Sequence, residues 1–427
     1  MSARSHPFLE DLAARELIVD STPREELAAH LGEARRSAYI GFDPTADSLH
    51  VGNLLGLTLL RRLQLRDHRP IVLVGGGTGL IGDPSGRAGE RALNELETVR
   101  ANAERLKRQV SRFVDFDRGA NAALLVDNYE WLGSVSLIPF LRDVGKHFSI
   151  NVMLAKESVS ARLATGISYT EFSYQLLQAY DFRELARRHD CTMQMGGSDQ
   201  WGNITAGIEL IRRMDAGAAH GLTHPLVARS DGTKMGKSET GTVWLDADKT
   251  SPYEMYQFWI NTPDVDVIRF LKFYTFLPLA EIVALGETTE HAPEKREAQR
   301  VLAREVTQLV HGDDGLRDAE TITASLFAGD VTGLSAAQLE QAFAAAPTTA
   351  LAADDLGTPL VDVLVRVGLA ESKRRGRELL TTGAIQVNGR KVSGADAVLS
   401  GDAVLPGGFV VLQRGKKTFH IARLEKK

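Results

Sequence analysis

Between residues 37 and 215 the chain repeats one alternation, a short apolar run followed by a longer amphipathic stretch, and few architectures accept that order. Residues 37–43 read as a strand, 50–66 as a helix with leucines at helical spacing, and 70–75 (PIVLVG) as a short buried strand. That is a βαβ unit. A helical stretch at 94–114 precedes a third strand in AALLVDN. Helices around 134–148 and 170–188 lead to the strand CTMQM at 191–195, and a helix over 199–214 follows. The order predicts an α/β fold, a Rossmann-like doubly wound parallel sheet whose ligands bind beyond the carboxyl ends of its strands.

Past residue 250 the pattern turns helical, to about 345. The stretch AAQLEQAFAAAPTTALAADD reads as a linker or loosely packed helix, and TPLVDVLVRVGLAESKRRGRELLTTGAIQVNGRKV as two short helices and a hairpin turning at Asn388-Gly389. The expected organisation is therefore 1–245 for the parallel-sheet domain, 246–345 for an α-helical domain, 346–357 for a linker and 358–427 for a small α+β domain. With 427 residues, 43% of them hydrophobic, there is material for two or three cores.

Cys191 is the single cysteine, so neither an internal disulfide nor a cysteine-based zinc site is available, and a reducing compartment is expected. No stretch approaches the roughly 18 apolar residues of a membrane span. The opening MSARSHPFLEDLAARE lacks a secretory apolar region, which points to the cytoplasm. The net charge of −5 is unevenly spread: residues 351–427 hold thirteen Lys and Arg against eight Asp and Glu, a balance of +5 that leaves −10 for the remainder. Such asymmetry suggests an acidic body carrying a basic attachment for a polyanion.

Two glycine-rich stretches mimic familiar nucleotide motifs and fail on spacing. Gly77-Thr78-Gly79-Leu80-Ile81-Gly82 fits G-x-G-x-x-G, but the acidic residue a dinucleotide fold wants about 20 positions on would fall in a helix. Gly232-Thr233-Lys234-Met235-Gly236-Lys237-Ser238 has three residues between its glycines where a P-loop needs four, and the strand-like TVWLD follows in place of a helix. By contrast, SAYIGFDPTADSLHVGNLLGL (37–57) ends a strand at Asp43-Pro44-Thr45 and starts a helix at His50-Val51-Gly52-Asn53. The unpaired N–H groups of a helix start attract phosphate.

Taken in order, His50-Val51-Gly52-Asn53 and Lys234-Met235-Gly236-Lys237-Ser238 resemble the HIGH and KMSKS signatures of class I aminoacyl-tRNA synthetases. With YIGFDPTADSLHVGN, GGGTGLIGDPSGR, TEFSYQLLQAYDF and GGSDQWGNI between or beside them, the resemblance is to the bacterial tyrosyl-tRNA synthetases and runs essentially the whole chain. It implies a catalytic parallel-sheet domain, a helical domain near the anticodon and an RNA-binding terminal domain. It also implies activation of tyrosine by ATP, which brings Mg2+, to tyrosyl-adenylate and pyrophosphate, then transfer to the 3′-terminal adenosine of tRNA(Tyr). No protein-bound metal is expected.

The residues the resemblance singles out fall into three groups. For the phosphates it implies Thr45, His50 and Asn53, with Arg87, Arg91, Lys234 and Lys237 on the leaving pyrophosphate and Ser238 beside them among the catalytic residues; Asn53 replaces a second His, and Arg87 a Lys, of relatives. For the nucleotide it implies Gly41, Asp43, Gly52, Gly197, Asp199, Leu226, Val227 and again Lys237; Ile40 stands where some relatives place a ribose-contacting Cys. For tyrosine it implies Tyr39 and Asp181 at the phenol and Asp83, Tyr174 and Gln178 at the α-ammonium, with Gln200 at the reacting carboxyl or the α-phosphate. The residues themselves agree: Tyr174, Gln178 and Asp181 are spaced by four and three, so they share one face, a polar stripe on a helix read as otherwise buried, as a small polar ligand requires.

For tRNA the resemblance implies acceptor-end contacts at Lys156, Arg212 and Arg213, with Glu157 repelling wrong tRNAs. The terminal domain would grip through Lys373, Arg374, Arg375, Arg377, Lys416 and Lys417. It further implies a homodimer, for which Leu137-Ile138-Pro139-Phe140-Leu141 suits an interface and suits a core helix equally. A tryptophan-specific relative would not need Asp181 beside Tyr39.

Overall fold

A computed structural model describes residues 5–85, 94–160, 163, 166–230, 232, 235–238, 241–415 and 418–425, with the backbone alone at 157, 158, 237 and 238. The chain forms two compact units. Met1–Thr250 with Trp259–Val310 make the first, and Ser251–Phe258 with His311–Lys427 make the second.

The first unit opens with helices α1 (Pro7–Ala14) and α2 (Arg24–Glu33) and then enters the sheet through β1 (Ser37–Phe42), α3 (Val51–Gln64) and β2 (Arg69–Val74). Both strands are buried along almost their whole length, as apolar runs covered on two faces must be. Next come α4 (Leu96–Val110), β3 (Leu124–Asp127) and the short α5 (Tyr129–Leu132). The helix predicted over 134–148 is split into α6 (Leu137–Asp143), a 3-10 turn at Gly145–His147 and α7 (Ile150–Leu154). Gly145 is a poor helix former, and Val144 turns inward there to pack on Ala179 and Leu210. After α8 (Glu157–Ser160) the chain runs through α9 (Tyr169–His189), β4 (Cys191–Gly197), α10 (Trp201–Asp215) and β5 (His220–His224).

All five strands pair in parallel in the order β3-β2-β1-β4-β5. The chain therefore leaves β1 toward β2 on one side and returns as β4 on the other, so β1 and β4 bound a switch point. The pattern of apolar runs did not predict β5, whose sequence HGLTH is polar although all five residues are buried. Its outer edge is covered by residues 19–22: Val19 N donates to Thr223 O at 2.9 Å and Thr22 N to Gly221 O at 3.0 Å. Beyond the sheet lie the hairpin β6 (Lys237–Ser238) and β7 (Gly241–Thr242), then α11 (Pro252–Ile260), α12 (Asp264–Tyr274), α13 (Leu279–His291) and α14 (Glu297–Ala328), the last broken at Gly312, φ 74°.

In the second unit α15 (Ala336–Ala342), β8 (Thr348–Leu351), α16 (Leu360–Arg366), α17 (Lys373–Thr381), β9 (Ile385–Val387), β10 (Arg390–Lys391), β11 (Phe409–Arg414) and β12 (Thr418–Leu424) build a sheet of order β10-β9-β11-β12-β8. The predicted Asn388-Gly389 turn is present, both residues at positive φ (50° and 84°), the geometry a two-residue hairpin prefers. Where 346–357 reads as a linker, the chain instead adds β8 alongside β12, and Leu351 is fully buried. The β-branched Thr348 and Thr349 favour that extended form.

Candidate active site

At the carboxyl ends of β1 and β4 the first unit opens a cleft of about 870 Å3. Its position follows from topology, because the loops leaving β1 and β4 diverge there. Tyr39 of β1 and Asp181 of α9 both line it. Asp181 is 1% exposed, and both carboxylate oxygens are taken: Trp131 Nε1 donates to Oδ1 at 2.7 Å and Asn128 Nδ2 to Oδ2 at 2.8 Å. Burial pushes this carboxyl up to about 8, against the pull of those two donors and with the help of nearby Asp43 and Asp127. The Tyr39 hydroxyl is buried without a hydrogen-bond partner. Burial, with Asp181 and Cys191 adding to it, holds its phenol well above the ordinary range. Beside it, Gln194 of β4 lines the cleft with its Oε1 also buried and unpartnered.

Further out, the predicted polar stripe of α9 is tied into a network. Tyr174 Oη donates to Asp43 Oδ2 at 2.9 Å, and Thr78 Oγ1 to Asp43 Oδ1 at 2.7 Å. Gln178 Nε2 donates to Gln200 Oε1 at 3.2 Å, Gln200 Nε2 to Asp83 Oδ2 at 2.7 Å, and Asn203 Nδ2 to Gln178 Oε1 at 3.0 Å. Asp83 and Gln200, 117 residues apart in sequence, thus close one wall. Asp43 and Asp83 leave this half of the cleft acidic.

The other half is built around the start of α3. His50 is the N-cap: its Nδ1 accepts from Gly52 N at 3.0 Å, and His50 N donates to Asn53 Oδ1 at 3.1 Å, a reciprocal capping box. With Nδ1 accepting, the neutral ring carries its proton on Nε2, and Asn53 keeps its Nδ2 donors for a ligand. A Cβ on Gly52 would lie 2.7 Å from His50 Cε1, so the close ring fold needs glycine there. Gly236, at φ 90°, packs against it, its backbone such that a Cβ would sit 3.2 Å from Gly52 N. Thr45, Gly41, Gly197, Asp199 and Leu226 also line the cleft, whereas Val227 does not; its carbonyl accepts from Met235 N at 3.1 Å.

Lys156 and Arg213 border a separate pocket of about 160 Å3. Lys156 Nζ donates to Thr205 Oγ1 at 3.2 Å, and burial lowers the pKa of its amine. Arg212 and Arg213 both pair with Glu209, whose carboxyl they pull down to about 2. In the second unit Lys373, Arg374, Arg375 and Arg377 are all exposed along α17; Lys373 pairs with Asp362 and Arg375 with Glu378. Arg87, Arg91, Lys234, Lys416 and Lys417 lie outside the described residues, as do the side chains of Glu157, Lys237 and Ser238.

Sequence reasoning missed Asn128, Trp131, Thr78 and Asn203. The signal for Asn128 was present: it follows AALLVD, at the carboxyl end of β3, where the sheet rule places ligand-facing groups.

The chain matches two family models: tRNA synthetases class I (W and Y) over residues 32–328, and the tyrosine–tRNA ligase SYY-like C-terminal domain over residues 338–422. It is 54% identical to a tyrosine–tRNA ligase of Geobacillus kaustophilus, over 97% of this chain and 99% of that one. A tyrosine–tRNA ligase of Desulfitobacterium hafniense is 52% identical over 98% and 99%. A C-terminally truncated mitochondrial tyrosyl-tRNA synthetase of Aspergillus nidulans superposes with a TM-score of 0.68 at 32% identity, covering 75% of this chain and 94% of its own.

Proposed function

The chain belongs to the tyrosine–tRNA ligases of the class I tRNA synthetases, and we propose how its cleft performs that reaction. Tyrosine is activated by ATP to tyrosyl-adenylate with release of pyrophosphate, and the tyrosyl group passes to the 3′-terminal adenosine of tRNA(Tyr). The tyrosine carboxylate is itself the nucleophile, so the protein supplies position and charge.

Tyrosine enters phenol first. Its hydroxyl takes up the unpartnered Tyr39 Oη and one face of Asp181, whose orientation Asn128 and Trp131 fix. The α-ammonium sits among Asp83, Tyr174 and Gln178, close to the Asp43 carboxylate. Gln200 steers the carboxylate toward the α-phosphate. ATP lies along the start of α3: Gly52 lets it approach the backbone, Asp199 and Gly197 take the ribose, and Thr45, His50 and Asn53 donate to the phosphates. Arg87, Arg91, Lys234 and Lys237 neutralise the departing pyrophosphate. Mg2+ enters as the ATP complex.

We assign tRNA contact to Lys156, Glu157, Arg212 and Arg213 at the acceptor end, residues 246–345 near the anticodon, and the exposed cations of 358–427 as the phosphate grip. A homodimer is supported by α6, which buries no residue and leaves Leu137, Ile138 and Leu141 68%, 71% and 41% exposed. Leu137→Glu with Ile138→Glu should turn a dimer into a monomer in sedimentation. No described helix is long and apolar enough to cross a membrane; we assign the work of the enzyme to the cytoplasm on its family alone.

The observation that carries the tyrosine assignment is the buried Tyr39 hydroxyl with no partner beside a carboxyl held by two donors. Exchange of labelled pyrophosphate into ATP, run with each of the twenty amino acids, tests it. Tyrosine alone should support exchange; equal exchange with phenylalanine or tryptophan would end this reading.

A further inference from the structure

The segment that presents His50 is not held by α3 alone. Residues 49–51 pair with residues 243–245 as a short antiparallel ladder: Leu245 N donates to Leu49 O at 2.8 Å and Val51 N to Val243 O at 3.0 Å, with His50 opposite Trp244. Leu49, Val51, Val243 and Leu245 are buried, while His50 and Trp244 line the cleft with their rings 6.2 Å apart. Because strand side chains alternate, a slip of one residue would turn His50 away and put a leucine or valine in its place. The same ladder reaches the second signature, since Val243 N donates to Gly236 O at 2.8 Å.

A side chain from a helix outside the cleft reaches the end of this ladder. Gln109 of α4 accepts from Leu49 N at 2.9 Å through Oε1, while its Nε2 donates to Ser48 Oγ at 3.0 Å and to Asp246 Oδ2 at 3.5 Å. One primary amide therefore clasps both strands at the end of the ladder. Two other residues share its work. Asn102, seven positions earlier, is buried and donates to Pro44 O at 3.2 Å. Arg105 pairs at 2.8 Å with Asp47, whose other oxygen takes Lys249 at 2.7 Å, and Lys249 lies over the Trp244 ring. Spacings of three and four put all three on one face of α4.

We propose that Gln109 is a positioning residue for adenylate formation, and that the Asn102, Arg105 and Gln109 face of α4 is a strut setting the loop before His50 and the strand after the Lys234–Ser238 signature in a single register. Gln109 touches neither substrate; it acts through the backbone of Leu49. The inference rests on the reading of His50 as a phosphate ligand. It requires the phosphate half of the cleft to depend on Gln109 while the tyrosine half, built from β1, α9 and β4, does not.

The test uses the full-length protein, with single-turnover tyrosyl-adenylate formation and tyrosine dissociation measured side by side. Gln109→Leu keeps the volume and removes all three hydrogen bonds; adenylate formation should slow by about 10- to 100-fold with tyrosine affinity changed less than about twofold. Gln109→Glu keeps the acceptor for Leu49 N but sets a carboxylate against Asp246, so it should slow the step as well, and adding Asp246→Asn should recover most of the rate by restoring a donor to that pair. A rate within twofold of the parent in Gln109→Leu overturns the proposal. So does a parallel loss of tyrosine affinity. If Gln109→Leu does not fold, Gln109→Glu with and without Asp246→Asn decides, and no recovery in the double variant overturns the proposal. His50→Ala, run alongside, separates the two readings: an unchanged rate there overturns the role of His50, whereas a slow His50→Ala beside a normal Gln109→Leu overturns the strut alone.

Discussion

At the scale of single residues, the Tyr39 hydroxyl is informative because the folded chain gives it nothing to bond. A buried polar group left unpaired costs about 1 to 3 kcal/mol, so Tyr39→Phe removes a penalty from the free protein while removing a partner from bound tyrosine. Stability and specificity should therefore move apart. The thermal midpoint of Tyr39→Phe should hold or rise, and the preference for tyrosine over phenylalanine in pyrophosphate exchange should fall. A clear drop in the midpoint would mean that Tyr39 is bonded in the free protein. For Lys237 the proposed role lies in the same activation step, at the departing pyrophosphate. A cation meeting charge that develops only as pyrophosphate leaves stabilises the transition state selectively. Lys237→Ala should slow adenylate formation by about 100-fold and leave tyrosine affinity nearly unchanged; a loss confined to affinity would move Lys237 out of the reacting centre.

At the scale of elements, what was legible in the sequence was what apolar periodicity writes. β1, β2, α3, α9 and α10 follow from their runs, and the stripe of Tyr174, Gln178 and Asp181 from its spacing. β5 was not legible because burial there is achieved by polar residues whose hydrogen bonds are met from far away in the chain. His220 Nδ1 meets Thr22 Oγ1 at 3.3 Å, and Thr223 Oγ1 donates to Asp20 Oδ2 at 3.0 Å. β8 was hidden for a related reason, since its partner β12 lies about seventy residues downstream. Asn128 and Trp131 were hidden because their task is to hold Asp181, a contact that spacing along the chain does not encode.

The same non-local packing makes the N-terminal helices sensitive to acid. His30 of α2 bonds Thr192 at 2.7 Å and lies in a tilted ring contact with His220, centroids 4.5 Å apart, and His68 accepts from Arg36 N beside His6. Burial brings His30 and His68 down to about 4 from 6.5, helped at His30 by His220, Arg36 and His68, and at His68 by His6, Arg35 and Arg36 against Asp67. The unfolded chain then takes up these protons first. Their contribution to stability is complete above about 6.5 and is lost as the pH falls toward about 4. Amides of Val19 and Thr22 should lose exchange protection at pH 5 relative to those of β1, and His30→Gln should reduce that loss. Equal protection at pH 5 and pH 7.5 would show that the segment does not open on protonation.

At the scale of the whole molecule, every cleft residue belongs to the first unit, while the +5 balance of 351–427 belongs to the second. Chemistry and grip should therefore separate when the chain is shortened, and the structure says where to cut. A cut near residue 350 would fall inside β8 and remove the β12 strand it pairs with. Ending at Ala328, after α14, removes the terminal sheet whole, at the expense of uncovering Ile322 and Leu326, which pack on Leu334, Leu339 and Phe409. Such a chain should form tyrosyl-adenylate at near the full rate, at protein concentrations low enough to limit association through that patch. It should charge tRNA poorly. The full chain should show the steeper loss of tRNA affinity with salt, because each phosphate contact adds a slope of about 0.7 to 0.9 in log affinity against log salt. If the shortened chain charges tRNA as well as the full chain at moderate salt, the cations of α17 are a solvated face and no grip. If it stays folded by circular dichroism yet makes no adenylate, then the cleft depends on residues beyond 328, and the assignment of catalysis to the first unit is wrong.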